Sequence, residues 1–384
     1  MGQGPGSLEK MGMIIDKHFW AKRSVLITGH TGFKGAWLAF WLKQLSARIS
    51  GYALPPLSSS LYSDLKLETK IDSTLADIRD YSTLKETVAR VRPDVIFHLA
   101  AQPLVIDSYK TPRETWEINV LGSANLLAAI HETQIENCTI VFITTDKVYE
   151  ITDEKTAYDE ERRLGGHDPY SASKAACELL ASSWYRSFFM DSDANTTMAT
   201  ARAGNVIGGG DSAENRIVPD LARALSTLSC MTVRNPSSVR PWQHVLSCLH
   251  GYIVLAEGLS KKIIPSGHAY NFGPNSYERY SVQDLLEEAQ NAWPVANKNL
   301  IAYNSPNNSW HESAFLSLSI EKAFRDLSWK PVWDFKTTVQ RTMAWYQKYC
   351  NNEDAAPLCQ EDIKQYMLDI KETVGKQKLI QSKN

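Results

Sequence analysis

The sequence predicts an α/β fold in which a doubly wound parallel sheet carries a smaller, discontinuous C-terminal lobe. Two features of its 384 residues lead there. Short runs rich in Val, Ile and Phe recur at 24–28, 48–52, 95–99, 140–144 and 197–202, and continuously apolar runs mark strands buried on both faces. Between them lie amphipathic stretches at 81–91, 115–132 and 169–189, long enough to be the crossover helices that parallel strands require. Past Arg202 the texture turns Gly-rich and Pro-punctuated, with helical pieces at 219–228 and 281–292. A late apolar run at 269–272 can return to the sheet, and a charged tail follows from Asp362.

Composition bounds the partners. A hydrophobic content of 43% and a net charge of −2 describe an ordinary globular chain able to bury a sizeable core. Without a long Lys/Arg run nothing supports a dedicated nucleic-acid surface, and small molecules are the expected partners. Cysteines at 138, 177, 230, 248, 350 and 359 form no CxxC pair, so neither a disulfide framework nor a metal site is expected and the reducing cytosol fits. No run of about 18 apolar residues offers a membrane span. The Gly-rich opening MGQGPGSLEK lacks the apolar stretch of a secretory leader, and residues 1–12 read as an appended tag.

The stretch VLITGHTGFKG sets Gly29, Gly32 and Gly35 directly after a strand and before the helix-like AWLAFWLKQL. Glycines at this spacing give a tight turn, a close approach of backbone to a pyrophosphate and close helix–strand packing, with uncapped N–H groups facing the anion. Thr31 and Phe33 belong to the same loop, which makes the fold Rossmann-like and dinucleotide-binding. The acidic residue expected about 20 residues further on for the ribose is missing, because the second strand ends in Gly51, Tyr52, Ala53 and Leu54. That position therefore leaves NAD and NADP both open. Asp77 and Ile78, after a third strand, are candidates to flank the adenine, a solvated loop being the alternative.

Tyr170 and Lys174, in DPYSASKAACELL, stand one helical turn apart on a shared face. An ammonium there lowers the phenol from its ordinary value of about 10, opening it to act as a base. The fifth strand, IVFITTDKVYE, delivers Thr145, Asp146 and Lys147 to the carboxyl edge, where open α/β sheets place ligands. A hydroxyl, an acid and an amine thus cluster beside the helical pair.

Taken together, GHTGFKG, HLAAQPLV, TTDK, LGGHDPYSASKAA, ARAGNVIGGGD and RNPSSVRPWQHV resemble the successive motifs of the CDP-glucose 4,6-dehydratases, within the extended short-chain dehydrogenase/reductase family. The resemblance implies bound NAD, with Leu99, Ala100 and Ala101 added to the cofactor residues. It implies oxidation of CDP-glucose at C4, loss of water across C5 and C6, and hydride return to C6, giving CDP-4-keto-6-deoxyglucose. A ketone at C4 makes the C5 hydrogen acidic enough to remove, so oxidation enables elimination. Tyr170 would be the C4 base, with Thr145 bonding that oxygen and Lys174 holding the phenolate and the nicotinamide ribose. Asp146 would protonate the departing C6 hydroxyl, which requires a raised pKa. Lys147 would take the C5 proton or stabilise the enolate; as a base it needs lowering from about 10.4.

Arg240 is expected on the diphosphate, assisted by Arg216, a planar guanidinium being suited to it. Gln102, Asn205 and Asn271 are further substrate candidates, with turn formation the alternative for the two asparagines; Trp242 is expected in the core. The expected division is residues 13–205 and 242–273 for the NAD-binding domain, 206–241 and 274–365 for the nucleotide-sugar lobe, and 366–384 for the charged tail. Helices 115–132 and 169–189 are similar to those of a four-helix interface, so a homodimer or a dimer of dimers is expected. Ile106, Ser212 and the loop EITDEKTAYDE depart from the pattern near the substrate entrance, which keeps other substrates in view. The alternatives are a dehydratase or 4-epimerase acting on UDP-N-acetylglucosamine or dTDP-glucose, and a non-catalytic NAD-binding sensor.

Overall fold

A computed structural model describes residues 13–152, 156–233, 235–295, 300–303 and 315–381. Seven strands form its central sheet: β1 (Ser24–Thr28), β2 (Arg48–Ala53), β3 (Asp72–Leu75), β4 (Val95–His98), β5 (Thr139–Ile143), β6 (Thr197–Ala203) and β7 (Ala269–Phe272). Their order is β7-β6-β5-β4-β1-β2-β3, and every pairing is parallel. The chain winds outward from β1 to β3, then crosses back to β4. Between β1 and β4 the winding reverses, and the carboxyl ends there form the crevice where such sheets bind ligands.

Alternation of side chains along each strand builds two cores, one per face. Val25 and Ile27 of β1, Val95 and Phe97 of β4, and Val141 and Ile143 of β5 pack into one core with the helices Phe33–Gln44 and Val245–Ser260. Leu26, Ile96, Ile140 and Phe142 face the other, against the helices Tyr81–Val91, Gly122–Glu132 and Pro169–Trp184. Each fully buried aliphatic side chain contributes roughly 1.5–3 kcal/mol relative to exposure, so the sheet is clamped from both sides. That rigidity fixes what its carboxyl ends carry.

The late run at 269–272 joins the sheet edge, Ala269 pairing with Thr200 and Phe272 with Ala203. Shorter ladders lie outside the central sheet: Val206–Ile207 with Gln243–His244, Val239–Arg240 with Tyr280–Ser281, and Met231–Val233 with Ile301–Tyr303. The helices of the same part of the chain include Ile217–Thr227, Val282–Ala292 and Phe335–Cys350. The expected charged tail differs from expectation, because residues 355–381 form a single helix. Ile363, Tyr366 and Ile370 recur on one stripe of it and are buried; the Tyr366 ring meets Trp41 and Trp333, and its hydroxyl lies 3.1 Å from Ser247 Oγ. The tag expected at 1–12 and residues 153–155 of the divergent loop lie outside the described residues.

Candidate active site

The glycine turn is held by close approach. Gly29 has φ 75°, and a Cβ there would lie 2.8 Å from the Ala100 amide; one on Gly35 would lie 2.2 Å from the Gly29 carbonyl. The turn is thereby pressed against Leu99 and Ala100 on one side and its own helix on the other. Phe33 opens the helix from Gly32, which offers no side-chain cap, so the first-turn amides face the crevice. Leu99 N donates to Thr28 O at 3.1 Å and Ala100 N to Thr28 Oγ1 at 3.2 Å, which hangs the 99–101 loop from β1. Thr31 Oγ1 reaches Leu54 O at 3.0 Å, closing the loop over the end of β2. Asp77 is held by Arg79 through two hydrogen bonds of 2.7 and 3.0 Å, which keep its carboxyl below the usual range. Ile78 packs into the bare face of Gly122.

Thr145, Asp146 and Lys147 follow β5, the last two within the single turn Asp146–Val148. Asp168 caps the helix Pro169–Trp184 in a capping box with Ser171, which fixes Tyr170 and Lys174 in its first turns. The two elements meet. Thr145 stands beside the Tyr170 phenol, where its hydroxyl favours the ionised ring, and Thr145 Oγ1 donates to Asp146 Oδ1 at 3.0 Å. Lys174 Nζ donates to Ile143 O at 3.3 Å, beneath the end of β5.

Asp146 is 1% exposed, and its Oδ2 atom has no hydrogen-bond partner among the described residues. A Cβ on Gly204 would sit 1.8 Å from that oxygen, so only glycine leaves room for the carboxyl. Burial pushes its pKa up against the charges of Lys147, Arg240 and Lys34 and the Thr145 hydrogen bond, which is the direction a proton donor needs. The expected acidification of Tyr170 by Lys174 does not hold in the protein alone. Burial pushes the phenol up to about 12, and Asp146 adds to that shift, opposed by the Thr145 hydrogen bond and the charge of Arg216. Lys174 is itself buried, and desolvation lowers its pKa.

Two guanidiniums from the segment after β6 act on this cluster. Arg240 is buried in the short ladder Val239–Arg240, its charge felt by Asp146. Arg216 precedes the helix Ile217–Thr227, is held by Asp211 at 2.8 Å, and is felt by Tyr170. Asn205 follows Gly204 with φ 42°, its carbonyl accepting from Gln243 N at 3.2 Å, the left-handed turn that asparagine tolerates. Trp242 is buried, its indole donating to Tyr280 O at 3.1 Å.

Two expected substrate contacts are instead bound up in the fold. Asn271 is fully buried: its amide donates to Tyr158 O at 3.0 Å and Ser319 O at 3.2 Å, and its oxygen accepts from Tyr149 at 2.6 Å. Gln102 spends its side chain on Thr115 Oγ1 at 3.0 Å and on the Leu104 amide, shaping its own loop. In both cases the backbone needed a partner for its polar groups, and the side chain supplied it.

A family profile described as GDP-mannose 4,6 dehydratase matches residues 26–342. CDP-glucose 4,6-dehydratase of Salmonella typhimurium is 39% identical over 360 residues, covering 92% of this chain and 99% of that protein. The chain belongs to the GDP-mannose 4,6-dehydratase family. Among solved structures, dTDP-glucose 4,6-dehydratase of Bacillus anthracis, in complex with NAD, superposes with a TM-score of 0.72 at 20% identity, covering 87% of this chain and 99% of that one. UDP-glucose 4-epimerase of Thermotoga maritima, with UDP-glucose, gives 0.74 at 19% identity, covering 85% and 99%. At those identities the likeness is one of fold.

Three contributors to this dehydratase-family site escaped the sequence reading. Asn119, in the π-helical turn Glu117–Leu121, donates to Gln102 O at 3.2 Å and Ser173 Oγ at 2.9 Å, tying the 99–104 loop to the Tyr170 helix; its sequence signal is nil, because a π turn is invisible in spacing. His30 lies on Gly51, where a Cβ would meet its ring at 2.3 Å, and its Nε2 is 2.6 Å from Ser73 Oγ. Burial lowers its pKa to about 4, so a neutral ring fills the space beside the end of β2. The third is Lys34, in the glycine loop itself, whose charge reaches both Asp146 and Lys174.

Proposed function

We propose that the chain is an NAD-dependent nucleotide-sugar 4,6-dehydratase that converts CDP-glucose to CDP-4-keto-6-deoxyglucose. The observation that carries the elimination is Asp146: a carboxyl shut away from solvent, driven toward its neutral form, with one oxygen unpartnered among the described residues and the other accepting from Thr145, beside the Tyr170 phenol. The 39% identity to the Salmonella CDP-glucose enzyme, over almost all of that protein, supports the substrate. A 4-epimerase would use Tyr170 and Lys174 but has no task for a buried neutral acid beside them.

The residues around the glycine turn fit a dinucleotide. A cradle that a Cβ at Gly29 or Gly35 would fill, and a helix start without a side-chain cap, suit a pyrophosphate. Gly32, Thr31 and Phe33, the 99–101 loop, Asp77, Ile78 and Lys174 would complete the hold. NAD, when bound, supplies the hydride acceptor and donor for C4 and C6.

Tyr170 takes the C4 hydroxyl proton while Thr145 bonds the same oxygen, so the charge that develops stays beside the pair that formed it. Asp146 donates its proton to the C6 hydroxyl, which leaves as water. Lys147 receives the C5 proton from a carbon acidified by the neighbouring ketone, or holds the enolate by charge. Arg240 and Arg216 secure the diphosphate from the second lobe, with Asn205 at their margin. Residues 13–205 and 242–273 thus hold the cofactor, and 206–241 with 274–365 hold the sugar nucleotide.

Exposed Trp116, Leu121, Leu179, Phe188 and Met190 lie on the two helical stretches 112–132 and 169–190. This apolar surface supports a homodimer or a dimer of dimers through those helices. Six free cysteines support the reducing cytosol as its compartment.

The test is incubation of the purified protein with NAD and, separately, CDP-, dTDP-, UDP- and GDP-hexoses, following the alkaline absorbance of a 4-keto sugar. Signal with CDP-glucose is the expected result. Signal only with another nucleotide overturns the substrate, and silence with all four while NAD is bound overturns the reaction in favour of a sensor.

A further inference from the structure

The cations that Asp146 feels all work against its proton. Lys147 in its own turn, Arg240 from the short strand Val239–Arg240 and Lys34 from the helix Phe33–Gln44 favour the ionised carboxyl, as does the Thr145 hydroxyl, and burial alone pushes the other way. Tyr170 on the catalytic helix and Tyr252 on the helix Val245–Ser260 share this field, and the Asp146 charge opposes the ionisation of both. Whatever keeps water off the carboxyl therefore decides whether it holds a proton.

One wall of that dry site is the backbone of Gly204, where a Cβ would fall 1.8 Å from Asp146 Oδ2 and 2.0 Å from its Cγ. A glycine has no side chain with which to hold its own place. The clamp is Gln243, which is 2% exposed. Its Nε2 donates to Gly204 O at 3.1 Å and to Phe272 O at 2.8 Å, and its backbone N donates to Asn205 O at 3.2 Å. One residue thus holds two consecutive carbonyls of the turn leaving β6 and ties that turn to the end of β7. With Nε2 committed to two carbonyls the amide has one orientation, and its Oε1 is buried without a hydrogen-bond partner among the described residues. A leucine of similar volume would fill the space without that orphaned acceptor, so packing does not account for the amide.

We propose that Gln243 is a positioning residue for the elimination: by clamping the Gly204 turn it keeps water from the Asp146 carboxyl and so equips that group as proton donor to the C6 hydroxyl. The inference rests on the reading of Asp146 given above. In that step the C5 proton leaves to its base, the C5–H pair becomes the second C5–C6 bond, and the C6–O pair departs with the oxygen, which takes the Asp146 proton and leaves as water. Without the clamp, Gly204 relaxes, water reaches Oδ2, and the three cations prevail over a weakened burial. The carboxyl then ionises at a lower pH, and the donor is lost there. C4 oxidation does not draw on this proton.

Two readouts on the full chain test this. In single turnovers with NAD and the nucleotide sugar that the wild type converts, quenched product formation follows elimination and cofactor absorbance follows oxidation, each across a pH series. Gln243→Met, which keeps the length and removes both donors, is expected to move the alkaline limb of elimination down by about one pH unit while oxidation stays within about twofold. Infrared difference spectra against Asp146→Asn are expected to show the carbonyl stretch of a protonated carboxyl at neutral pH in the wild type and its loss in Gln243→Met. A limb that does not move, a band that survives in the variant, or a wild type without the band overturns the inference. Equal slowing of both steps with the limb in place, the mark of a merely structural amide, does the same. If Gln243→Met lacks native thermal unfolding, Gln243→Asn, which draws the amide back by one methylene, is read in its place with the same outcomes. An Asp146→Asn variant that eliminates like the wild type overturns the reading of Asp146 itself, a result distinct from these.

Discussion

Thr144 and Thr145 are neighbours at the end of β5, yet they serve two carboxyls of opposite character. Thr144 donates to Glu178, whose oxygens also accept from Thr200 Oγ1 at 2.7 Å and Arg202 Nη2 at 2.9 Å. Thr145 turns the other way, to Asp146 and Tyr170. Both carboxyls are buried. Glu178 is surrounded by donors and a guanidinium, so it is a structural anion. Asp146 has one oxygen without a partner among the described residues, the deficit that a held and released proton would fill. A cavity of about 280 Å³ opens beside the Glu178 network, lined in part by Glu160, Thr200, Arg202 and Lys322; space alone does not make it the reaction site, since its central acid is already committed.

The sharpest way to break this contrast is to change each carboxyl system and ask which property fails. Asp146→Asn keeps the shape and removes the proton donor, so turnover to the 4-keto-6-deoxy product should fall a thousandfold to ten-thousandfold, in the upper part of the range for general acids. Reduced-cofactor absorbance on mixing with substrate should persist, because C4 oxidation does not need that proton. Unchanged product formation would remove Asp146 from the chemistry. Arg202→Met should do the reverse: with Glu178 left buried beside a lost cation, denaturant unfolding should show a loss of about 3 kcal/mol, while the partition between oxidation and elimination stays as in wild type.

A smaller effect separates two roles at Lys147. Replacement by Met should slow elimination about a hundredfold and the first hydride transfer far less, resolved by stopped-flow cofactor absorbance against quenched product formation. Equal slowing of both steps argues against either role.

The legibility of the site follows the same division. The glycine turn, the Tyr170–Lys174 spacing and the end of β5 are local, and local spacing is what a sequence displays. The five strands read at 24–28, 48–52, 95–99, 140–144 and 197–202 correspond to β1, β2, β4, β5 and β6 within a residue or two. β3 is four residues of largely polar sequence at the sheet edge, Asp72–Leu75, and gives no apolar run. Asn119 to Ser173, His30 to Ser73 and Lys34 to Tyr252 join residues far apart in the chain, and no periodicity encodes them. A strand-end asparagine such as Asn271 looks alike in the sequence whether its amide meets a sugar or, as here, three protein groups. In the C-terminal helix, charges outnumber the stripe of Ile363, Tyr366 and Ile370, so an adhering helix read as a tail.

A third carboxyl, Glu257, lies between the two extremes and gives the mildest test. It accepts from the Trp20 indole at 2.7 Å and the Asp16 amide at 3.1 Å, with Lys261 at 3.8 Å, yet burial pushes its pKa up to about 7 from 4.5. The folded state therefore keeps a proton that the unfolded chain has released over the interval between those values. Stability attributable to this group falls as pH rises from about 4.5 to about 7, and is then constant. Glu257→Gln can still accept both hydrogen bonds while avoiding the buried charge. The variant should match wild type near pH 5 and exceed it above pH 7 by about 1–2 kcal/mol, read as a widening gap between the two thermal midpoints across a pH series. A gap of the opposite sign at pH 8 would mean that the Lys261 ion pair outweighs desolvation, and Glu257 would then belong with Glu178 as a satisfied anion.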